Sequence, residues 1–409
     1  MKPRRYIRLL FNANKTYDRQ VIEGVGRYLN TTQCNWDLFI EDDFRTQQAS
    51  LGQWHGDGVI ADLDDPNIEY KLNQLQLPVV GVGGSYNDPA LYPQIPYVAT
   101  DNYQVMKLAF DHLKSLGLTH FAFYGLPRDP RYRWSEQREI AFRQLTHNEG
   151  FACDVFHGHL TSSENWQQAQ QSLCDWLQSL PQPVGIIAVT DSRARYLLQA
   201  CEQLGFMVPE RIAVVGIDNE EVARYLTRTS LSSIEQGCQQ MGYQAAQILD
   251  QLLTEQLPAN ATPRLLIPPV QIHPRQSSDF HALHDPYVIQ AMHFIRRHAC
   301  QGIKVEQVLD YVGVSRSNLE ARFKIERNHS IHQEIHYFKL EQACELLRAT
   351  ELPIAQISHY CGYPSLQYMY AVFKKNFQQT PKEFRGLRKQ SMVPNLESPF
   401  KPIKMAVGN

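Results

Sequence analysis

Polar side chains directly follow several short apolar segments of this chain, and their types suit hydrogen bonding to a neutral, hydroxyl-rich ligand. Carboxylates and side-chain amides accept hydrogen bonds from paired hydroxyls, arginines donate them, and an aromatic face covers the apolar side of a sugar ring. The candidates are Asn12, Asn14, Tyr17, Asp18 and Arg19 near the first apolar segment, then Trp134, Asp191, Asp218 and Asn219 further along. Their spread predicts a binding site assembled from many loops.

A second interpretation applies to each of these residues taken alone, because Asp and Asn after a strand most often cap the next helix. Asp101 and Asp191 are the most typical of simple N-caps. For Asp101, Asn102 and Tyr124, a role as cap or core residue is at least as well supported as contact with a sugar.

The sequence lacks the motifs of catalysis and of metal binding. It contains no G-x-x-x-x-G-K-[ST] phosphate loop, no G-x-S-x-G nucleophile elbow, and no set of His, Cys and carboxylate residues at metal-ligand spacing. The run from Gly81 to Gly84 lacks the third glycine of a dinucleotide site. The 8 Cys form no C-x-x-C pair, so we expect reduced, mostly buried thiols. We therefore predict a protein that is not an enzyme and uses neither a cofactor nor a metal ion.

Alternating apolar and amphipathic segments from residue 6 to about 275 must position these polar residues. β-branched runs such as GVIAD, PVVGVG, GIIAV and IAVVGI predict strands that are buried on both faces. Helix candidates between the runs lie at 18–30, 101–116, 136–149, 164–179, 192–204 and 239–254. The alternation predicts a doubly wound α/β fold, whose ligands bind at the carboxyl ends of the strands.

The charge distribution separates the last third of the chain from the rest. Residues 286–409 carry 17 basic and 10 acidic side chains, whereas residues 1–285 carry 23 basic and 32 acidic ones. A basic segment favours a nucleic-acid partner, although charge alone fits chance segregation equally well. No segment approaches the ~20 apolar residues of a membrane span, and no export signal is present. A cytoplasmic protein without a membrane partner is therefore expected.

An internal repeat at an offset of 49 residues lies within the basic segment. Val308 recurs as Ile357, and Gly313 recurs as Gly362. Each copy has the pattern of a short helix, a turn that carries glycine, and a second helix that opens at a serine. The repeat predicts two helix-turn-helix units.

The helices around this repeat have recognisable ends. Asp285 and Pro286 open a helix as its N-cap and first-turn residue. A further helix, capped by Ser330 and spanning about 330–351, would connect the two units. Such a helix is ~33 Å long, close to the ~34 Å of one DNA turn. The second helix of each unit could therefore enter successive major grooves, whereas a plain helical bundle leaves the repeat unexplained.

The sequence from about 5 to 275 resembles the periplasmic sugar-binding and lactose-repressor-type sensor fold. The resemblance rests on LLFNANKTYDRQVIEGVGRYL, DGVIAD, PVVGVGG, VATDNY, HLKSLGLTHFAFYGLP, GIIAVTDSRA, VGIDNEE, LSSIEQ and MGYQAAQIL. It implies two lobes with the ligand between them. The implied boundaries are lobe one at about 5–97 and 238–264, lobe two at about 101–232, and crossovers near 97–100, 232–236 and 265–272.

Residues 285–390 are similar to the DNA-binding domain of AraC-type transcription activators, through VGVSRSNLEARFK, IAQISHYCGYPSLQYMYAVFKKNF and TPKEFR. The similarity implies DNA contact by the helix-opening residues Ser315 and Ser365. It implies base-edge contacts by Ser317, Asn318 and Glu320 on the first recognition helix and by Gln367, Tyr368 and Tyr370 on the second. It implies phosphate contacts by Arg316, Arg322, Lys374 and Lys375. Departures from the family pattern are Asn328, where many members have glycine, and Ala321 and Ala371, where many have a basic residue.

The two parts together are similar to bacterial regulators of xylose operons. This similarity implies D-xylose as inducer, with Arg133 and Gln236 among its ligands, and activation of promoters for xylose catabolism. It also implies a homodimer on double-stranded promoter DNA, with RNA polymerase as a further partner.

The resulting fold class is a two-lobed α/β periplasmic-binding-protein-like sensor plus an all-α domain with two helix-turn-helix motifs. The predicted parts are a sensor at 1–275, a linker at 276–284, a DNA-binding domain at 285–390 and a flexible tail at 391–409. The alternatives are a sugar-processing enzyme with a regulatory tail, a regulator that responds to another pentose, and a solute-binding transport component.

Overall fold

A computed structural model shows a chain that divides into two compact units between Ala282 and Leu283. The predicted tail and part of the predicted linker lie outside the described residues. The structure describes residues 3–32, 34–41, 54–279, 283 and 285–390.

The first unit contains two separate sheets. The first sheet is built from β1 (Arg5–Leu10), β2 (Trp36–Ile40), β3 (Gly58–Asp62), β4 (Val79–Val82), β5 (Tyr97–Thr100) and β11 (Arg264–Ile267). Its strand order over the described residues is β11-β5-β4-β3-β1-β2, with every neighbouring pair parallel. Strands β3 and β4 are buried along their whole length, as apolar strands covered on both faces must be.

The second sheet repeats this plan. It is built from β6 (Phe121–Tyr124), β7 (Cys153–Phe156), β8 (Val184–Ala188), β9 (Ile212–Ile217), β10 (Ser232–Glu235) and β12 (Gln271–His273). The order is β12-β10-β9-β8-β6-β7. Its neighbours are parallel except β12, which runs antiparallel to β10. We call the first sheet with its helices lobe one and the second lobe two.

Helices cover the faces of both sheets. They are α1 (Thr16–Thr32), α2 (Pro66–Leu72), α3 (Asn102–Ser115), α4 (Arg133–Asn148), α5 (Trp166–Ser179), α6 (Asp191–Gln203), α7 (Glu221–Leu226) and α8 (Cys238–Leu253). Helices α1 and α8 pack together on lobe one, and the backbones touch at Gly24 and Gly242. A Cβ atom on Gly242 would lie 1.9 Å from the main-chain oxygen of Val21, so this approach requires glycine.

The chain passes between the lobes at three points: from β5 into α3, from β10 into α8, and from β11 into β12. We refer to β10 as the hinge strand. Apolar cores lie within each lobe, and the two sheets share no strand. The predicted two-lobed α/β fold class is confirmed.

The second unit is helical. Its helices are α9 (Pro286–His298), α10 (Val305–Val312), α11 (Arg316–Arg327), α12 (Ile331–Ala349), α13 (Ile354–Tyr360), α14 (Leu366–Phe377) and α15 (Pro381–Gln390). Two apolar clusters divide it, one around α9 to α11 and the other around α13 to α15, with α12 contributing to both. The predicted pair of helix-turn-helix motifs is confirmed, with α11 and α14 as their second helices.

The predicted N-caps Asp285 and Ser330 are correct, and one predicted helix length is wrong. Asp285 caps α9, accepting from the N–H groups of Tyr287 and Val288, and Ser330 caps α12, accepting from that of Gln333. The connecting helix α12 has 19 residues rather than 22, because the flanking Ser330 and Thr350 adopt extended backbone conformations. It is about 28 Å long, shorter than one DNA turn.

The residue that follows α11 has a left-handed backbone, which asparagine tolerates. Asn328 has φ 60°, and Gln378 has φ 57° at the corresponding position after α14.

No described helix has both the length and the apolar character needed to cross a lipid bilayer.

Candidate functional sites

Side chains of the two lobes meet at the rim of the cleft between them. Thr16, which opens α1, donates from Oγ1 to Glu220 of lobe two across 3.1 Å. Arg133, the first residue of α4, donates from Nη2 to the main-chain oxygen of Leu63 across 2.7 Å and pairs with Glu69 across 3.2 Å. The guanidinium of Arg133, a predicted ligand residue, is therefore engaged with lobe one.

Three carboxylates of lobe one gather at the carboxyl ends of β1 and β3. Asp18 is 1% exposed, and its Oδ2 accepts the N–H of Asn12 across 2.6 Å. Its Oδ1 has no hydrogen-bond partner among the described residues. Asp62 accepts the N–H of Asp64 across 2.9 Å, and Lys15 lies 3.8 Å from its other oxygen. Asp18 Oδ1 is therefore a buried acceptor with no donor among the described residues.

This crowding changes the protonation of the cluster. Burial and the charge of Asp62 raise the pKa of Asp18 to about 7 and that of Asp64 to about 7. Burial also raises the pKa of Asp62, while the ammonium group of Lys15 acts in the opposite direction. A carboxylate that lacks partners is a strong acceptor for hydroxyl groups. Asp62 and Asp64 are not among the residues predicted from the sequence, although they follow an apolar run as Asp18 does.

Two carboxylates of lobe two lie at the ends of β8 and β9. Asp191 accepts the hydroxyl of Ser233 across 2.6 Å and the N–H of Glu220 across 2.7 Å. Asp218, with φ 118°, accepts the side-chain amide of Gln236 across 2.6 Å. Burial raises the pKa of Asp218 to about 6, and burial together with Asp218 raises that of Asp191. The two predicted residues Asp218 and Gln236 are thus in direct contact.

The interpretation of Asp101 as an N-cap is correct, whereas that of Asp191 is not. Asp101 accepts the N–H of Gln104 across 3.0 Å at the start of α3. The residue that caps α6 is Thr190, which accepts the N–H of Arg193. Asp191 lies inside the first turn, and its carboxylate instead joins β10 to the loop after β9.

Arg138 is a buried residue that contacts groups around Gln236, and it is not among the residues predicted from the sequence. Its guanidinium is buried and donates to Asn102 Oδ1 across 2.9 Å, to the main-chain oxygen of Val189 across 2.6 Å, and to Gln236 Oε1 across 2.9 Å. It also stacks over Trp134, 5.0 Å from the ring centre. An arginine within an amphipathic helix is usually solvated, so nothing local in the sequence indicates this position.

The remaining predicted ligand residues take different positions. Asn14 and Arg19 are exposed, and Arg19 donates to a nearby main-chain oxygen across 2.9 Å. Asn219 accepts from Arg275 across 2.6 Å within lobe two. The hydroxyl of Tyr17 lies 3.6 Å from the sulfur of Met241 against the lobe-one core. The structure therefore brings Asp18, Asp218 and Gln236 toward the cleft interior but leaves Asn14 and Arg19 at the surface.

The groups around Arg138 belong to both lobes. Its charge interacts with Asp218 of lobe two and with Tyr17 and Asp64 of lobe one. Carboxylates, an amide, a guanidinium and aromatic rings thus converge in one buried region, which can accept and donate hydrogen bonds to a polyhydroxyl ligand. In the described part of the chain, no three His, Cys, Asp or Glu side chains are arranged to hold a metal ion.

The first recognition helix, α11, exposes its N-terminal turn. Ser315, Arg316, Ser317 and Asn318 are exposed. Glu320 instead accepts the N–H of Ile331 across 3.3 Å, and Arg322 donates to Asp285 at the start of α9. Arg316 pairs with Glu306 across 3.2 Å. The side chains of Glu320 and Arg322 are therefore engaged within the second unit.

The second recognition helix, α14, exposes more of its predicted residues. Ser365 caps it by accepting the N–H of Tyr368, whose hydroxyl lies 3.3 Å from Nε2 of His336. Gln367 and Lys375 are exposed, and Tyr370 is half-buried. Lys374 is exposed and donates to the main-chain oxygen of Gln378 across 3.0 Å.

Comparisons with known proteins cover both units. Models of three families match: the XylR N-terminal domain at residues 6–103, a periplasmic binding protein-like domain at 110–278, and a helix-turn-helix domain at 308–386. The xylose operon regulatory protein of Escherichia coli K12 is 56% identical over 95% of this chain and 99% of its own length. That of Haemophilus influenzae is 52% identical over 93% of this chain and 97% of its own.

A solved structure supports the same assignment. The structure of the xylose-binding transcription activator xylR has a TM-score of 0.85 and 55% identity, and covers 94% of this chain and 99% of the other. These relatives are transcriptional regulators and not enzymes. The chain therefore belongs to the family of xylose operon regulatory proteins, which are transcription regulators with a sugar-sensor-like domain and a helix-turn-helix DNA-binding domain.

Proposed function

We propose that this protein is a D-xylose-responsive activator of promoters for xylose catabolism. D-xylose binds between the lobes and changes how the two recognition helices hold promoter DNA. Two buried polar groups carry the proposal: the network of Asp218, Gln236 and Arg138, and the carboxylate of Asp18, whose Oδ1 has no hydrogen-bond partner among the described residues.

The chemistry of this network favours a small polyhydroxyl ligand. A sugar hydroxyl that donates to Asp18 Oδ1 replaces the hydrogen bond that burial has removed, which contributes about 1.5–3 kcal/mol for a charged acceptor. Asp218 accepts a second hydroxyl in the same way. The choice of D-xylose over another pentose is supported by the 55% identity to the xylose-binding transcription activator xylR.

Ligand binding acts on DNA through the two lobes. A sugar that contacts both lobes stabilises the closed arrangement of the lobes. It can alter the affinity for DNA only as far as it binds one of the two arrangements more tightly than the other, and such coupling free energies are typically 1–3 kcal/mol.

We further propose that the protein acts in the cytoplasm as a homodimer on double-stranded DNA and contacts RNA polymerase. We assign residues 1–275 to the sensor and 285–390 to the DNA-binding domain.

A thermal-shift screen over pentoses and hexoses tests the identity of the ligand. A ligand that binds only the folded state raises the stability of the protein by an amount that increases with the logarithm of its affinity. We expect D-xylose to give the largest shift and the D18N variant to lose it. N14A, which changes an exposed residue, is the matched control and should respond as the wild type does. A larger thermal shift with another pentose would identify that pentose, and not D-xylose, as the inducer. The absence of a shift with any sugar would contradict the proposal.

A DNA-binding assay tests the second part of the proposal, that D-xylose changes the affinity for DNA. A duplex selected from random-sequence DNA by the wild-type protein in D-xylose should be bound more tightly with sugar than without it at matched salt. Equal binding in both conditions would contradict the proposed sugar response.

A further inference from the structure

A buried cluster of hydroxyl groups ties the end of the sensor to the hinge strand. The backbone N–H of Ser232, in β10, donates to Ser277 Oγ across 2.8 Å, and its hydroxyl lies 2.7 Å from that of Ser278. Ser277 donates to the main-chain oxygen of Val214 across 2.6 Å, and His112 lies 2.7 Å from Ser278. Ser232, Ser277 and Ser278 are all buried. The point where the chain leaves the sensor is thus fixed to β10.

The same strand ends in the cleft. Ser233 of β10 donates to Asp191 across 2.6 Å, and Gln236, directly after it, contacts Asp218 and Arg138. A ligand that binds Asp218 therefore acts on β10, the strand to which Ser277 and Ser278 at the end of the sensor are hydrogen-bonded.

Beyond the sensor, a short connection leads to α9, the first helix of the second unit. Only residues 279–284 separate Ser278 from Asp285, a distance of about 25 Å at most for a fully extended chain. Asp285 accepts the N–H of Tyr287 across 2.9 Å and caps α9. Its Oδ2 also accepts a hydrogen bond from Arg322 of α11, whose guanidinium stacks 5.0 Å from the ring centre of Tyr287.

Asp285 thus contacts two helices at once, because it caps α9 and accepts a hydrogen bond from Arg322 of α11. The cap of α9 and, through Arg322, the position of α11 therefore both depend on Asp285. The ion pair is partly shielded, with side chains 38% and 15% exposed for Arg322 and Asp285. The exposed ion pair of the same helix, between Arg316 and Glu306, is 61% and 63% exposed and has no tie to the linker.

We propose that the Asp285–Arg322 ion pair transmits the sugar signal from the linker to the first recognition helix. Asp285 and Arg322 are positioning residues in this role, and Arg322 acts on DNA through the placement of α11. The proposal rests on the proposed function and names its route of regulation.

The test is the ratio of DNA dissociation constants without and with D-xylose, measured on the full-length protein with the selected duplex. D285N keeps the helix cap, since Asn caps about as well as Asp, and removes the charge. We expect this ratio to fall at least threefold in D285N and in R322M, with D-xylose affinity in calorimetry unchanged. The double variant should lose no more than either single one, because the two residues act as one pair.

E306Q is the matched control, because it breaks an ion pair on the same helix with the same change in charge. It should retain the wild-type ratio. A wild-type ratio in both D285N and R322M would overturn the proposed role of the Asp285–Arg322 ion pair but not the proposed function. An equal loss of DNA affinity with and without sugar would do the same. A wild-type protein with a ratio of one would overturn the proposed function as well.

Discussion

Gln236 holds Asp218 across 2.6 Å between its Nε2 and the Oδ1 atom of the carboxylate, at the end of the hinge strand. The other end of the amide accepts from Arg138 and from Thr100, the last residue of β5 in lobe one. One side chain thus connects an acid of lobe two to a strand of lobe one. A ligand that engages Asp218 meets an acceptor that is already oriented.

Replacing Asp218 by Asn tests this acceptor. D218N removes the charge but keeps the shape and tolerates the positive φ of 118°. We expect D-xylose affinity in calorimetry to fall roughly 10- to 150-fold, as for the loss of one charged hydrogen bond. DNA binding without sugar should stay at the wild-type level. An unchanged affinity for D-xylose would remove Asp218 from the site.

Local patterns in the sequence indicate helices, strands and their caps. They do not indicate contacts between residues that are far apart in the sequence. Asp285 and Ser330 are recognisable as caps because the partners of a cap lie within three residues. Arg138 is not recognisable, because Gln236, 98 residues away, is what holds it in the cleft. Arg322 is predicted to contact phosphate, but Asp285, 37 residues earlier, engages its guanidinium. A residue that follows a strand, such as Asp218, can therefore be proposed from the sequence, whereas Arg138 cannot.

The lobe-one carboxylates predict how stability depends on pH. Burial raises the pKa of Asp18 and Asp64 to about 7, above the ~3.9 of an unfolded chain. Between about pH 4 and 7 the folded state therefore binds more protons than the unfolded state, so the contribution of these groups to the free energy of unfolding decreases as pH rises. Each group contributes at most about 1.4 kcal/mol per pH unit.

Unfolding by denaturant at pH 5 and at pH 8, without sugar, measures this contribution. The D18N/D64N double variant lacks both titrating groups, so it should gain stability relative to the wild type as pH rises. N14A controls for changes outside the cluster and should follow the wild type. A difference between double variant and wild type that is the same at both pH values would show that these carboxylates do not titrate in this range.

A buried ion pair predicts where the second unit is most sensitive to mutation. Glu334 is 2% exposed and accepts from Arg327 across 3.0 Å and from His329. E334A leaves the buried guanidinium of Arg327 without its partner, so we expect a loss of about 3–5 kcal/mol. Calorimetry of the full chain should show a lower unfolding temperature for the second unit, while the transition that D-xylose raises stays in place.

The exposed Arg316–Glu306 pair provides the comparison for this experiment. E306Q should change the stability of the second unit by less than about 1 kcal/mol, as for other exposed pairs. Equal effects of E306Q and E334A would mean that burial of Glu334 does not determine the cost.

Two exposed side chains of α14 predict different effects on DNA binding. Gln367 and Lys375 are both exposed, and Gln367 lies in the first turn of the helix, where base edges are read. Q367A should relax the preference at one base pair by about 1–3 kcal/mol and leave binding to random DNA unchanged. K375A should weaken binding to every sequence and reduce the slope of log affinity against log salt by about 1.

Competition binding with selected and random duplexes at several salt concentrations separates the two effects. K374A is the matched control for K375A, because Lys374 already donates to the main-chain oxygen of Gln378 and should contribute less to the salt slope. A Q367A protein that lost affinity for random DNA as well would place Gln367 on the phosphate backbone. A K375A protein with the wild-type slope would place Lys375 away from the DNA.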